Sequence, residues 1–272
     1  MKKDYLKIDK FIRNFDYLSF SNQKKTENYL KFFNLKKILI DQSKKINPNF
    51  SFQPNFSDLA RIHFLILKRK VINCLEFGSG FSTLVIGHAM SILSLEYEKF
   101  VKNNFRVEKP FNVFSIEESK DSMIDTKKIS KEYSNFINIK TSPVNLILHD
   151  NRIASIYKNL FDINPDLIYL DGPSLNSTKD KINNISYNQV CRMPLSADIL
   201  RYEFFLEPGC LILVDGRTAN SIFLKNYLKR NWIYKRDKIG DVHYFELKED
   251  PIGNLNKKKI EFCLNNEWLN RS

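Results

Sequence analysis

The sequence has no apolar run long enough to cross a bilayer. Its longest, LVIGHAMSILSL, covers 12 residues, against the roughly 20 that a membrane helix needs. The opening residues, MKKDYLKIDKFIRNF, are charged throughout and lack the apolar core of a secretory signal. No C-x-x-C pair occurs. Cys74, Cys191, Cys210 and Cys263 lie far apart, which points to reduced thiols in a cytoplasmic protein rather than a disulfide frame or zinc site. Internal repeats, low-complexity linkers and a G-x-G-x-x-G fingerprint are also missing. What is there is a chain of 272 residues, 43% hydrophobic and 27% charged, enough to bury a substantial core.

The formal net charge of +12 is unevenly spread. Residues 1–70 hold 16 of the 43 Lys and Arg but only 6 of the 31 Asp and Glu. Such a basic end suits an anionic partner such as nucleic acid or a membrane surface. Its lysines are scattered among Asn and Phe without an Arg cluster, which fits a solvated helical layer better. The aromatic residues between 11 and 56 read as helix packing rather than as a base-stacking platform.

Periodicity divides the chain into three parts. Residues 1–54 form a helical cap, since YLKIDKFIRNFDYL and TENYLKFFNLKKILIDQSKK place Leu, Ile and Phe three and four apart. Residues 55–250 open with a helix, DLARIHFLILKRK, for which Ser57 is the expected N-cap and Asp58 an acid of the first turn. Strand and helix patterns then alternate. VINCLEF, FNVFSIE, FINIKT, PDLIYLDG and CLILVDG read as parallel strands. VNLILHDNRIASIY fits either a hairpin or a short helix. WIYKRDK and VHYFELK are separated by too few residues for a crossover, so they must pair antiparallel. The expected fold class is α/β: a doubly wound seven-stranded sheet, mostly parallel, with a C-terminal antiparallel hairpin and an N-terminal helical cap. Residues 251–272 read as a C-terminal tail.

In open α/β sheets ligands bind at the carboxyl ends of the strands, and the unusual residues fall there. Glu76 leads into Gly78, Ser79 and Gly80, with Ser82 and Thr83 opening the next helix. Two glycines allow a sharp turn and a close backbone approach, so the stretch suits a nucleotide-like cofactor or a plain strand–helix turn. Glu117 ends the second strand, where a carboxylate can accept from ribose hydroxyls or cap a helix. It lies 39 residues after Gly78, against about 20 in the usual arrangement, so the first helix must be long or carry an extra turn. Asp171 and Asp215 end the fourth and fifth strands, where two carboxylates could hold a divalent cation or act as acid and base. His149, beside Asp150, is a candidate base. His63 and His88 sit in apolar helical runs and read as packing residues. The polar stretch PSLNSTKDKINNISYNQVCRMPL is long enough for a lid, with Tyr187, Arg192 and Lys179 as substrate-binding candidates. Arg192 suits a carboxylate or phosphate, or equally a structural bridge to Asp198 or Asp215.

The order of LEFGSGFSTL, VFSIEES, DLIYLDGPS, RMPLSADILRYEFFLEPGCLILVDGR and the closing hairpin resembles the class I S-adenosylmethionine-dependent methyltransferases over roughly residues 55–248. The segment from DGP to LVDGR is similar to bacterial methyltransferase-like proteins of undefined substrate. The resemblance implies S-adenosylmethionine as cofactor, with Gly78, Ser79 and Gly80 at its methionine part, Glu117 at the ribose and Ser142 near the adenine. It implies methyl transfer to an O or N atom of a small molecule or sugar, with Asp171 or His149 removing a proton. Catechol-type relatives use an Asp and an Asp-Asn pair for magnesium. Gly216 stands where that Asn would be, which leaves a metal site incomplete. The other readings are a nicotinamide-dependent oxidoreductase, disfavoured by the hairpin and the missing third glycine, and a non-catalytic basic adaptor for nucleic acid or membrane surfaces.

Overall fold

Helices lead and strands follow in the computed structural model, which describes residues 2–16, 20, 22–46, 53–188 and 195–270. First come α1 (Lys2–Asn14), α2 (Gln23–Phe32), α3 (Leu35–Ser43) and α4 (Phe56–Lys68). Next, β1 (Asn73–Phe77), α5 (Phe81–Asn104), β2 (Asn112–Glu117), α6 (Lys120–Ile129) and β3 (Ile137–Thr141) alternate. A hairpin of β4 (Val144–His149) and β5 (Arg152–Tyr157) precedes β6 (Leu167–Leu170), whose following loop carries the two-residue strands β7 (Lys181–Ile182) and β8 (Ile185–Ser186). The chain ends with α7 (Asp198–Tyr202), β9 (Leu211–Asp215), α8 (Thr218–Tyr227), β10 (Trp232–Asp237), β11 (Val242–Leu247), α9 (Asn254–Leu264) and α10 (Asn266–Leu269).

Seven strands form one sheet in the order β10-β11-β9-β6-β1-β2-β3. β11 runs antiparallel to both its neighbours, and β9, β6, β1, β2 and β3 pair in parallel. The central strands are continuous apolar runs because both faces are covered. Cys74, Val113, Leu167, Tyr169, Leu211 and Leu213 join the core shared with the N-terminal helices and α5. Their alternating neighbours Leu75, Ile168, Leu170, Ile212 and Val214 join a second core with the β4–β5 hairpin, α7 and α8. Burying each such side chain contributes roughly 1.5–3 kcal/mol. Among the described residues no helix is long and apolar enough to cross a membrane.

Several local expectations shift for identifiable reasons. The periodic stretch over residues 26–45 breaks into α2 and α3 because Asn34 takes the left-handed conformation, φ 57°, which Asn tolerates better than most residues. Asn55, not Ser57, caps α4, its side chain accepting from the Ser57 amide at 3.1 Å. The ambiguous stretch after β3 is a hairpin. Asp150 and Asn151 both have positive φ, which matches the twist of a two-residue hairpin turn. α5 runs for 24 residues, which accounts for the long interval between Gly78 and Glu117. Residues beyond 250 carry α9 and α10, packed against the body: Phe262 meets Tyr97, Phe100 and Phe105, and Lys259 bridges Asp166 at 2.6 Å and Glu207 at 2.8 Å.

His63 and His88 join the helical layers in one hydrogen-bonded chain. Tyr29 on α2 meets His63 Nδ1 on α4 at 2.7 Å, and His63 Nε2 meets His88 Nδ1 on α5 at 2.8 Å. Tyr29 is fully buried and has no other acceptor among the described residues, so its hydroxyl donates to His63. His63 then donates through Nε2 to His88. Burial holds His88 down to about 4 and His63 well below its usual range, so both rings are neutral. Tyr29→Phe strands a buried acceptor and is expected to cost about 1–3 kcal/mol, read as a lower midpoint in urea unfolding at pH 7. An unchanged midpoint would show that the chain contributes nothing to stability.

Candidate functional site

Two acids grip the glycine turn after β1. Glu76, fully buried, accepts from Thr83 Oγ at 2.6 Å and from the Ser115 hydroxyl through the same oxygen. Its other oxygen is buried without a hydrogen bond. Thr83 in turn accepts from the Gly80 amide at 3.1 Å. Ser82 stands partly exposed in the first turn of α5, close enough to Glu76 to pull on its ionisation. Burial nevertheless pushes the Glu76 carboxyl up to about 7. Glu117, at the tip of β2, accepts from the Ser79 amide at 2.8 Å, the Ser79 hydroxyl at 2.9 Å and the Ser119 amide at 3.0 Å. About one of a carboxylate's four lone-pair positions is left, so Glu117 has room for a single further donor rather than a ribose diol gripped at both oxygens. Burial, with Glu118 beside it, raises its carboxyl to about 7.

The adjacent strand ends bring further acids to the same edge. Asp171, at the end of β6, is solvent-exposed although protein walls it on most sides. No hydrogen bond to its side chain is made by the described residues. Burial and then Asp215 push its carboxyl up to about 7, with Arg217 pulling the other way. Asp215 accepts from the Tyr169 hydroxyl at 2.6 Å, and burial followed by the charge of Asp58 raises it to about 6. Gly78, φ 93°, passes so close to the loop after β6 that a Cβ on it would lie 3.1 Å from Gly172 N.

The remaining sequence candidates are placed as follows. Gly80 has open space where a Cβ would stand. Ser142 is fully buried and accepts from the Asn159 amide at 2.8 Å, fastening the base of the β4–β5 hairpin. His149 packs its ring on Phe223 and Tyr227 of α8, with centroids 5.9 and 4.7 Å away, and makes no contact with the acids at the strand ends. Tyr187 is 6% exposed and pairs with Ser155 Oγ at 2.8 Å. Lys179 is exposed on the loop after β6. Arg192 lies outside the described residues. Among the described residues no group of three His, Cys, Asp or Glu is arranged to hold a metal ion.

Two residues escaped the sequence reading. Glu118 accepts from Tyr157 Oη at 2.9 Å and from the Ser174 amide at 2.9 Å, drawing hairpin and loop over the edge. Its adjacency to Glu117 was visible, but not the partners, which lie 39 and 56 residues away. Arg217, straight after β9, is 6% exposed and donates to the Pro173 carbonyl at 2.7 Å. Its place behind the strand-ending Asp215 was the available signal.

β11, late in sequence, lies between β9 and β10, so the last two strands enter the sheet in reversed order with one antiparallel. The fold is the class I methyltransferase fold. No family model matches the chain, and no curated protein matches its sequence. Similar solved structures include a Podospora anserina methyltransferase bound to S-adenosylhomocysteine, 12% identical, with 84% of this chain and 97% of that one covered and a TM-score of 0.48. A putative caffeoyl-CoA O-methyltransferase from Staphylococcus aureus is 13% identical, covering 82% and 100% with a TM-score of 0.45. An O-methyltransferase from Bacillus cereus, bound to the same product, is 12% identical, covering 78% and 89% with a TM-score of 0.43. The fold assignment rests on the strand order and not on these overlaps.

The raised carboxyls carry a stability consequence. A group such as Asp171, near 4 when unfolded and about 7 when folded, favours the folded state while protonated and loses that contribution as pH rises through 7. Asp171→Asn removes the opposing charge and no hydrogen bond. It is expected to raise the melting temperature most at pH 8, less at pH 5, and to leave it unchanged near pH 3. An equal shift at pH 8 and pH 3 would show that its ionisation does not oppose folding.

Proposed function

We propose that this protein transfers a methyl group from S-adenosylmethionine to an oxygen or nitrogen of a small molecule or sugar. The observation that carries this reading is the charge at the strand ends. Glu76, Glu117, Glu118, Asp171 and Asp215 gather at one edge with Arg217 as the guanidinium among them, in a chain whose net charge is +12. A cationic ligand is favoured there and the pyrophosphate of a dinucleotide is opposed, which speaks against a nicotinamide cofactor. The residues fit the cofactor in a second respect, the open space above Gly80. Gly78, Ser79 and Gly80 would hold its methionine part, and Glu117 would take one ribose hydroxyl.

When bound, the cofactor supplies a methyl group already activated on a sulfonium. The chain's own contribution is then to align the acceptor and take up a proton. Among the described residues Asp171 is the carboxylate at this edge that accepts no hydrogen bond, and a group near 7 is suited to accept a proton from an acceptor O–H or N–H at neutral pH. Asp215, bonded to Tyr169, holds a second negative charge beside it. No metal ion enters the proposal.

Calorimetric titration with S-adenosylmethionine tests the reading. Binding is expected to tighten from pH 6 to pH 8, because carboxyls near 7 must ionise to attract the cation, with a smaller gain for S-adenosylhomocysteine, which lacks the sulfonium. Glu117→Ala is expected to weaken both. Failure of the wild type to bind either compound would falsify the reading.

A second reading, an anion-binding adaptor, draws on the basic helical layer, where Lys31, Asn34, Lys36, Lys37, Ile40 and Asp41 line a hollow of about 340 Å³. It requires binding of a single-stranded RNA to weaken steeply with salt and to fail after Lys36→Glu and Lys37→Glu together. A flat salt response eliminates it.

A further inference from the structure

Arg217 is a buried cation that makes one hydrogen bond to the described residues. Its side chain is 6% exposed, one Nη donates to the Pro173 carbonyl at 2.7 Å, and Nε is buried without a partner among them. No carboxylate of the described residues forms an ion pair with it, although Asp171 and Glu118 act on it from farther away, as do Tyr187 and Tyr157. A guanidinium carries five donors, and leaving them unmet in a buried place is costly. Asp171 shows the converse: an exposed carboxylate without a hydrogen bond from the described residues, at the neighbouring strand end, one residue past Leu170, which pairs with Val214. Opposite charges on adjacent strand ends that do not join each other are available to a third group that carries both an acceptor and a donor.

We propose that Arg217 anchors a carboxylate of the acceptor, leaving the acceptor's O–H or N–H group to face Asp171. The planar fork of Arg matches a carboxylate through two parallel N–H bonds. Pro173, from the loop after β6, accepts from the guanidinium, so that loop borders the anchor. The pairing of one cation and one acid selects acceptors that carry a carboxylate at one end and a methylatable hydroxyl or amine at the other. Neutral acceptors gain nothing from Arg217. The inference rests on the methyl-transfer reading.

The test uses the full chain loaded with S-adenosylhomocysteine, with 4-hydroxybenzoate and lactate as carboxylate probes and 4-hydroxybenzyl alcohol as the uncharged control, each titrated by ligand-observed NMR. At least one carboxylate is expected to bind the wild type. Arg217→Gln should weaken it about tenfold or more, Arg217→Lys less, and the alcohol should be indifferent to both changes. Affinity for S-adenosylhomocysteine should be unchanged in the variants, and near-ultraviolet circular dichroism should show them folded. The anchor is overturned if neither carboxylate binds, or if Arg217→Gln leaves their affinity as it was. It is also overturned if Arg217→Gln abolishes S-adenosylhomocysteine binding in a folded protein, since the guanidinium then serves the cofactor. If the wild type itself does not bind S-adenosylhomocysteine, the methyl-transfer reading fails, and the same probes on the unloaded protein decide the anchor separately.

Discussion

Two backbones that nearly touch set the geometry of the whole carboxyl edge. A Cβ on Gly172 would stand 2.6 Å from Gly78 N, 2.8 Å from Gly78 Cα and 2.8 Å from Tyr157 Oη. Only glycine fits there, and the contact lets the turn after β1 and the loop after β6 share hydrogen bonds. Gly172 and Asp171 both donate to the Phe77 carbonyl, at 2.6 and 3.0 Å, while Gly78 donates to Ile116 at 2.9 Å. Three strand ends are thereby locked at fixed spacing, and the acids that follow each strand have little freedom to move apart. A bulkier residue at either glycine would separate the loops and disperse the acids with them.

That convergence runs against the electrostatics of folding. Carboxyls raised to about 6 or 7 at Glu76, Glu117, Asp171 and Asp215 show groups that the fold would rather keep protonated. A sequence chosen for stability alone would have placed amides or alcohols there. The strain is local, since the helical layers carry nearly all the excess positive charge and the acids are held by Ser79, Ser115, Thr83, Ser119 and Tyr169. Unfavourable charge kept at one edge of an otherwise consistent fold is the pattern of a site whose cost is met elsewhere.

Sheet and site differ in how far they could be read in advance. The inner strands β6 and β9 were legible because a strand covered on both faces must be an uninterrupted apolar run, and LIYL or LILV admits little else, whereas the edge strand β3, INIKT, showed only as an alternating pattern. The closing hairpin was forced by the few residues between its strands. Helix ends were less legible. Asn34 and Asn55 act through backbone conformation and a single side-chain bond, and Asn occurs too often in this chain to mark either place. At the site, the acids were readable because each ends a strand. Their partners were not: Ser79 with Glu117, Tyr157 with Glu118 and Arg217 with Pro173 are 38, 39 and 44 residues apart. Nothing in a local pattern encodes such pairings. Ser142 shows the same limit from the other side, since its hydroxyl is taken by Asn159, 17 residues on.

The helical cap and the acid edge are joined through α4. Arg69, the residue that caps the C-terminal end of this helix, is bonded to Glu246 at 2.8 Å and to the Gly209 carbonyl at 2.7 Å. Asp58 and Arg61, at its near end, form an ion pair of 2.6 Å, and the charge of Asp58 acts on both Asp171 and Asp215. The position of α4 is held in turn by the chain from Tyr29 through His63 to His88, which ties α2 to α5 across it. A polar chain with one direction has one register, whereas apolar packing alone tolerates small slides. The cap therefore does more than cover the sheet. By fixing α4 along its axis it fixes where the Asp58–Arg61 pair sits relative to Asp215, whose carboxyl the aspartate raises and the arginine lowers.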